Sequence, residues 1–215
     1  MRLLKIKSYA KINLSLNVLG KLNSNLHKIE SLISFVKLHD LIYIKSIVSK
    51  NHKINFIGKF AKGINKKNSI QKLLTLLEKE KLLKNKKFKI TVVKNIPNKS
   101  GLGGGSMNAA SIINFFIKKK FIKLKQKQLY NITKLIGEDV ILGITKKNTI
   151  LSSNGKLSKF NKSLNFNVLI TKPNFGCSTK FIYSKVSTFS NAKYSRPKKS
   201  LLGVNSIINS KNDLE

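Results

Sequence analysis

Over the first sixty residues, apolar and polar positions alternate with a short period. In 5–20, Ile12, Leu14, Leu16 and Val18 fall on one face while Asn13, Ser15 and Asn17 fall on the other, the pattern of a strand. Residues 29–37, 41–48 and 53–58 read as further strands, and Asn23, Ser24 and Asn25 mark a turn. The period then changes. Across 68–83, Ile70, Leu73, Leu74, Leu76 and Leu77 gather on one broad face, which predicts a helix. A strand is expected at 87–94. Ala109, Ala110, Ile112, Ile113 and Phe116 predict a second helix, 126–137 a third, 166–173 a strand and 178–186 a short helix. From 187 to 200 Ser, Asn and Lys dominate, and a mobile connection is expected there. The class is α+β, with no internal repeat.

Between the strand at 87–94 and the second helix, four of the chain's 12 glycines fall within five residues, Gly101 to Gly105. A strand, a loop without bulky side chains and then a helix is an arrangement that holds phosphate. Glycine lets the backbone approach an anion, and the first N–H groups of a helix point outward with the positive end of its dipole. The dipole alone is worth about 0.3–1 kcal/mol at exposed sites, so several aligned donors must carry the grip. The alternative, a glycine-rich surface turn, does not explain why a helix starts there. A Walker loop is excluded because Gly-Lys-Ser/Thr does not occur. A Rossmann loop is excluded because no acid lies between Gly101 and Gly137. The sequence also lacks His-Arg-Asp and Asp-Phe-Gly, the marks of protein kinases.

Composition alters this picture in one respect. The formal net charge is +35. Nucleic acid is the first partner that such a charge suggests. Against it, the 43 basic residues include only Arg2 and Arg196 as arginines, and the lysines are spread along the whole chain. Arginine is the residue that forks onto phosphates and guanine edges, so a codon bias toward lysine explains the charge better and a nucleic-acid partner is not expected. A single cysteine, Cys177, fits a reducing compartment. His27, His39 and His52 lack metal-ligand spacing. No apolar run approaches the ~20 residues of a membrane span, and Lys5, Lys7 and Lys11 interrupt any signal-peptide core. A cytoplasmic, soluble protein is expected.

Acids are scarce enough to enumerate. Glu78 and Glu80 lie on the 68–83 helix and read as solvated; Asp213 and Glu215 are terminal. Asp40 sits in a strand connection, where a local turn bond is expected. Glu30, Glu138 and Asp139 remain as candidate bases. From the residues alone, Asp139 is as well read as a helix cap, Lys11 as an exposed strand lysine, Tyr183 as a core aromatic, and Ser106 as either a cap or a ligand to phosphate or Mg2+.

"IPNKSGLGGGSMNAA" (96–110) resembles the central motif of the GHMP kinases, a superfamily of small-molecule kinases. "AKINLSLNVLGK" (10–21), "HKIESLISFVKLHDLI" (27–42), "GEDV" (137–140), "STKFIY" (178–183) and "NDLE" (212–215) are similar, in order, to the branch that phosphorylates the 2-hydroxyl of 4-diphosphocytidyl-2-C-methyl-D-erythritol in the non-mevalonate route to isoprenoid precursors. The resemblance implies a two-domain fold. A β-rich N-terminal domain with helices on one side (1–154) would bind ATP, and an incomplete α/β C-terminal domain (155–215) would follow. It implies ATP as co-substrate with Mg2+, and an acceptor carrying a cytidine diphosphate. Asp139 would be the base and Lys11 its catalytic partner. Pro97, Asn98, Lys99, Ser100, Gly101, Leu102, Gly103, Gly104, Gly105, Ser106 and Met107 would bind ATP. His27 would hydrogen-bond the cytosine, Tyr183 would stack on it, and Asn13 and Thr179 would contact the sugar-alcohol end. The chain departs from the branch's pattern at Leu26, Met107 and Ile141, which stand for Tyr, Ser and Pro. The resemblance also implies a further glycine-rich segment beyond Glu215. Other acceptors of the same superfamily (homoserine or mevalonate type), an inactive remnant and a basic RNA-binding domain are the competing expectations.

Overall fold

A computed structural model of the chain describes residues 3–22, 26–161, 167–171, 176 and 179–214, the side chains of Thr179 and Lys180 excepted. The strands are β1 (Leu4–Lys21), β2 (His27–Ile47), β3 (Lys53–Ile57), β4 (Lys87–Val93), β5 (Asn148–Leu151) and β6 (Leu157–Phe160). The helices are α1 (Ser69–Lys79), α2 (Gly104–Lys118), α3 (Gln126–Ile136), α4 (Val140–Thr145), α5 (Thr179–Ser184) and α6 (Val204–Ile208), with a 3-10 turn at Lys199–Leu202. The chain divides into two compact units. One holds 1–10, 37–98 and 102–146; the other holds 11–36, 99–101 and 147–215.

In the first unit β4 is central. It pairs antiparallel with the second half of β2, with Ile44 opposite Ile90, and parallel with β3, with Ile54 opposite Ile90. A parallel pair needs a crossover, and α1 supplies it. Asn68 caps α1 by accepting from the N–H groups of Ile70 and Gln71, both at 3.0 Å. The helix buries Ile70, Leu73, Leu74 and Leu77. Its regular turns stop at Lys79, short of the expected residue 83, because the chain reverses through Lys81 at φ 54°. The core gathers Phe88, Ile90 and Val92 of β4 with Ile112, Ile113 and Phe116 of α2. Helix α4 packs close to α2: a Cβ on Gly143 would sit 2.6 Å from the Ala110 Cβ. Asn114 fixes the contact by donating to the Ile144 carbonyl at 2.8 Å.

The second unit is held differently. The first half of β2 pairs with β5, Leu32 opposite Ile150, and β5 turns into β6 through Asn154 and Gly155. Leu32, Ile150, Tyr194 and Leu202 form a small apolar cluster. The polar face of β1 is buried too: Ser15 meets the Tyr194 hydroxyl at 2.7 Å, and Asn17 donates to Glu30 at 2.8 Å. The Leu16 N–H bonds the Lys211 carbonyl and the Leu16 carbonyl accepts from Asp213 N–H, which seats residues 211–213 along β1.

Several expectations are corrected. The two strands expected at 29–37 and 41–48 are one continuous β2, because Leu38–Asp40 carry the extended ladder through without a turn residue. Asp40 is therefore in a strand, fully buried, and makes no local turn bond. Residues 167–171, within the strand expected at 166–173, are exposed and pair with nothing among the described residues; Leu169 is 90% exposed. An apolar run makes a strand only when a neighbouring edge takes its hydrogen bonds. The 187–200 stretch, expected to be mobile, is pinned: Lys193 and Tyr194 donate their N–H groups to Glu30 at 2.6 and 2.9 Å. The turn expected at 23–25 lies outside the described residues.

Candidate functional site

The glycine stretch leads straight into α2. Gly103 occupies the cap position with φ 67°, a left-handed conformation that favours glycine. The first intrahelical bond runs from Met107 N–H to the Gly103 carbonyl at 2.8 Å. Among the described residues, no group of the protein takes up the backbone N–H of Gly104, Gly105 or Ser106. Side chains could not replace hydrogen here without displacement. A Cβ on Gly104 would come within 3.1 Å of the Lys94 Nζ and of the Ile96 side chain, and one on Gly105 within 3.2 Å of the Ser69 Oγ. The starts of α1 and α2 thus approach one another across Gly105 and Ser69.

Beside this point lies a cavity of about 190 Å³. Phe56, Ile64 and Ile70 give it apolar walls, and Asn68, Lys94, Asn98 and Asn108 line it with polar groups. Asn98 is fixed by donating to the Phe60 carbonyl at 2.7 Å. Apolar walls with a few oriented polar groups suit a flat heterocycle, and free helix-terminal amides suit a phosphate chain. Asn68, Lys94 and Asn108 were not among the residues expected from the sequence. Lys94 carried one legible signal, a charge ending an apolar strand directly before the loop. Of the residues that were expected, Met107 is buried, its sulfur against Gly143, so only its backbone can serve a ligand. Lys99 takes a positive φ of 52° and Gly101 one of 71°.

The "GEDV" stretch also lies near α2: a Cβ on Gly137 would stand 3.7 Å from the Ser106 Oγ. Asp139 occupies the cap position of α4, yet its side chain makes no capping hydrogen bond, so capping does not account for it. Glu138 is exposed. Glu30 is fully buried and already accepts from Asn17, Lys193 and Tyr194, which removes it as a base.

In the second unit Lys11 is 6% exposed, against the reading of an exposed strand lysine, and its Nζ donates to the Asn13 Oδ1 at 3.1 Å. The rings of His27 and Tyr183 lie 5.0 Å apart at 33°. Among the described residues, the His27 Nε2 is buried without a hydrogen-bond partner. A ring nitrogen left unpaired beside an aromatic face can recognise a polar heterocycle. Tyr183 comes from α5, which Thr179 opens; the Thr179 side chain lies outside the described residues. Among the described residues, no three His, Cys, Asp or Glu side chains gather where they could hold a metal ion, and no helix is long and apolar enough to cross a membrane.

The model of the GHMP kinases N terminal domain matches residues 68–151, which span α1, the glycine loop and "GEDV". A crystal structure of 4-(cytidine 5'-diphospho)-2C-methyl-D-erythritol kinase shares the fold, with a TM-score of 0.72 at 19% identity over 99% of this chain and 76% of that one. The homoserine kinase of Cytophaga hutchinsonii gives a TM-score of 0.58 at 16% identity, over 89% and 62%. These likenesses show a fold of the GHMP kinase class. In sequence the chain is 57% identical over its full length to the 4-diphosphocytidyl-2-C-methyl-D-erythritol kinase of Pelagibacter ubique, covering 76% of it. It is 31% identical to the enzyme of that name from Petrotoga mobilis over 84% of this chain and 68% of the relative. The chain belongs to the 4-diphosphocytidyl-2-C-methyl-D-erythritol kinase family.

Proposed function

We propose that the protein transfers the γ-phosphoryl group of ATP to the 2-hydroxyl of 4-diphosphocytidyl-2-C-methyl-D-erythritol, a step of isoprenoid precursor biosynthesis, in the cytoplasm. The observation that carries this reading is the row of uncommitted amides at Gly104, Gly105 and Ser106 beside a cavity that suits a nucleotide base. Family membership selects the acceptor. Phosphoryl transfer asks for positioning and charge stabilisation more than for covalent help. The loop 97–107 supplies positioning by gripping the phosphate chain. Asp139 takes the proton of the attacking hydroxyl as its oxygen bonds to phosphorus; ADP departs with the bridging oxygen. Lys11 acts as the catalytic partner of Asp139 and stabilises charge at the transferring group. His27 and Tyr183 receive the cytosine, and Asn13 and Thr179 the sugar-alcohol end.

Mg2+ would arrive on the nucleotide, because it keeps several waters and takes phosphate oxygens with at most one or two carboxylates; Ser106, at the start of α2, could reach it, and it would supply charge neutralisation. The decisive test is Asp139→Asn. Turnover should fall about 10²–10⁴-fold, the usual worth of a positioned base, while ATP binding by calorimetry stays near wild type. Unchanged turnover would remove Asp139 from the reaction. A panel of acceptors that includes homoserine and mevalonate tests the choice of substrate.

A further inference from the structure

Asp40 is absent from every role assigned above, yet it is the most fully committed carboxylate beside the nucleotide cavity. It is 0% exposed. Its Oδ1 accepts from the N–H groups of Asn95 and Ile96, both at 2.8 Å. Its Oδ2 accepts from the Lys94 Nζ and from the Asn108 Nδ2, the latter at 2.9 Å. Lys94 and Asn108 both line the cavity. An ionised carboxylate only accepts hydrogen bonds. Asn108 must therefore turn its NH2 toward Asp40, and its Oδ1 is left on the other side. That oxygen is buried and has no hydrogen-bond partner among the described residues. A buried acceptor without a partner is costly, so a ligand that brings a donor to it gains what the free protein lacks.

We propose that Asp40 is the positioning residue that sets the base preference of the nucleotide site. By accepting on both oxygens it locks the Asn108 amide with its carbonyl toward the ligand and holds the Lys94 ammonium beside it. The site then offers an acceptor to a base with an amino group, as adenine has, and opposes a base with a carbonyl at the same place, as guanine has. This rests on the reading of the cavity as the ATP site, and it adds a claim that the reading does not contain: the selectivity resides in a residue that touches no ligand.

Asp40→Asn tests it. The new amide keeps one acceptor for Asn95 and Ile96 N–H but turns its NH2 toward Asn108. Asn108 must then rotate its amide, so that a donor faces the base. Calorimetry with the magnesium salts of ATP and GTP, on folded protein checked by circular dichroism, gives the ratio of the two affinities. Wild type should favour ATP, and Asp40→Asn should cut that preference by about tenfold or more, the effect of one lost hydrogen bond, with GTP binding gaining in relative terms. A general loosening of the fold would weaken both nucleotides alike and leave the ratio unchanged, and that result overturns the proposal. Should Asp40→Asn fail to fold, Asn108→Leu decides: it leaves Asp40 paired with Lys94 and the two backbone donors, and it must erase the ATP preference. An ATP preference that survives in Asn108→Leu also overturns the proposal. If wild type binds neither nucleotide, the ATP reading itself falls, an outcome distinct from the other two.

Discussion

The two compact units solve the same problem with different materials. Among the described residues, the first closes around a cluster of twenty buried apolar residues, the second around four. What the second unit lacks in apolar contact it replaces with buried polar side chains: Ser15, Asn17, Glu30, Ser31 and Tyr194 bond one another or the backbone. Among the described residues each unit buries one carboxylate completely, and each carboxylate grips two consecutive backbone N–H groups, Asn95 and Ile96 at Asp40, Lys193 and Tyr194 at Glu30. The difference lies in the remaining partner. Asp40 has a lysine as well as the Asn108 amide, so its charge is balanced and the lysine is thereby placed at a cavity. Among the described residues Glu30 has the Asn17 amide instead, so its charge is met by neutral donors. A carboxylate coordinated only by neutral donors fixes chain to chain; one that also holds a cation can prepare a binding site.

The comparison breaks first at Glu30. Glu30→Ala would take the acceptor from the N–H groups of Lys193 and Tyr194 and from the Asn17 amide, of which Tyr194 and Asn17 are buried, in a unit with little apolar core to compensate. Each such group costs about 1–3 kcal/mol, so a loss of roughly 3–5 kcal/mol is expected in urea denaturation, with exchange of the Lys193 and Tyr194 amides accelerated. If those amides stay protected in Glu30→Ala, the carboxylate is not what pins the segment.

How much of this was legible beforehand follows from the same contrast. Where burial is apolar, period reveals it. The helix at 68–83 and the strand at 87–94 were read within a few residues because Leu73, Leu74 and Leu77 or Phe88, Ile90 and Val92 recur at the spacing of the element that buries them. The glycine loop was legible because few structures other than a tight helix start need four glycines in five residues. Where burial is polar, the pattern misleads. Asn13, Ser15 and Asn17 read only as the polar face of a strand, and the serine-rich 187–200 stretch as a mobile connection, because no periodicity announces that Glu30 and Tyr194 will meet over more than 160 residues of sequence. Asp40 and Lys94 are 54 residues apart, and a strand was broken in the reading at the very place where Asp40 sits. The β5–β6 hairpin had a readable signal in Asn154-Gly155, a pair that favours tight hairpin turns; it went unread because the flanking strands have only four residues each.

A finer probe of the second unit is Tyr194→Phe. It keeps the ring in its apolar cluster and removes only the hydroxyl that meets Ser15 at 2.7 Å. Ser15 also accepts from the Leu32 N–H at 3.3 Å, so it is not orphaned. A loss of about 1 kcal/mol is expected, read as a lower denaturation midpoint. A larger loss would mean that the hydroxyl organises the network instead of merely joining it.

The smallest effect belongs to the first unit, where a carboxylate stands near the surface. Glu78 lies 3.1 Å from the His52 Nε2 and also pairs with Lys87. Ion pairs with one partner at the surface, as Glu78 is here, are worth about 0–1 kcal/mol. His52 contributes more through its other nitrogen: Nδ1 accepts the Phe88 N–H at 3.0 Å, which requires the ring to be neutral, with its proton on Nε2. Burial lowers the His52 pKa below its ordinary 6.5, and the opposing pull of Glu78 does not reverse this. A histidine with a depressed pKa in the folded protein takes up its proton more readily when unfolded. Its contribution to stability is complete above pH 6.5 and is lost as pH falls below that value toward the folded pKa. Thermal unfolding between pH 7.5 and 5.5 should therefore show a midpoint that falls on acidification, and His52→Asn, which can still accept from Phe88, should flatten that slope. A slope of the opposite sign would show that the contact with Glu78 outweighs burial, and that a surface carboxylate in this unit governs its neighbour as strongly as the buried Asp40 does.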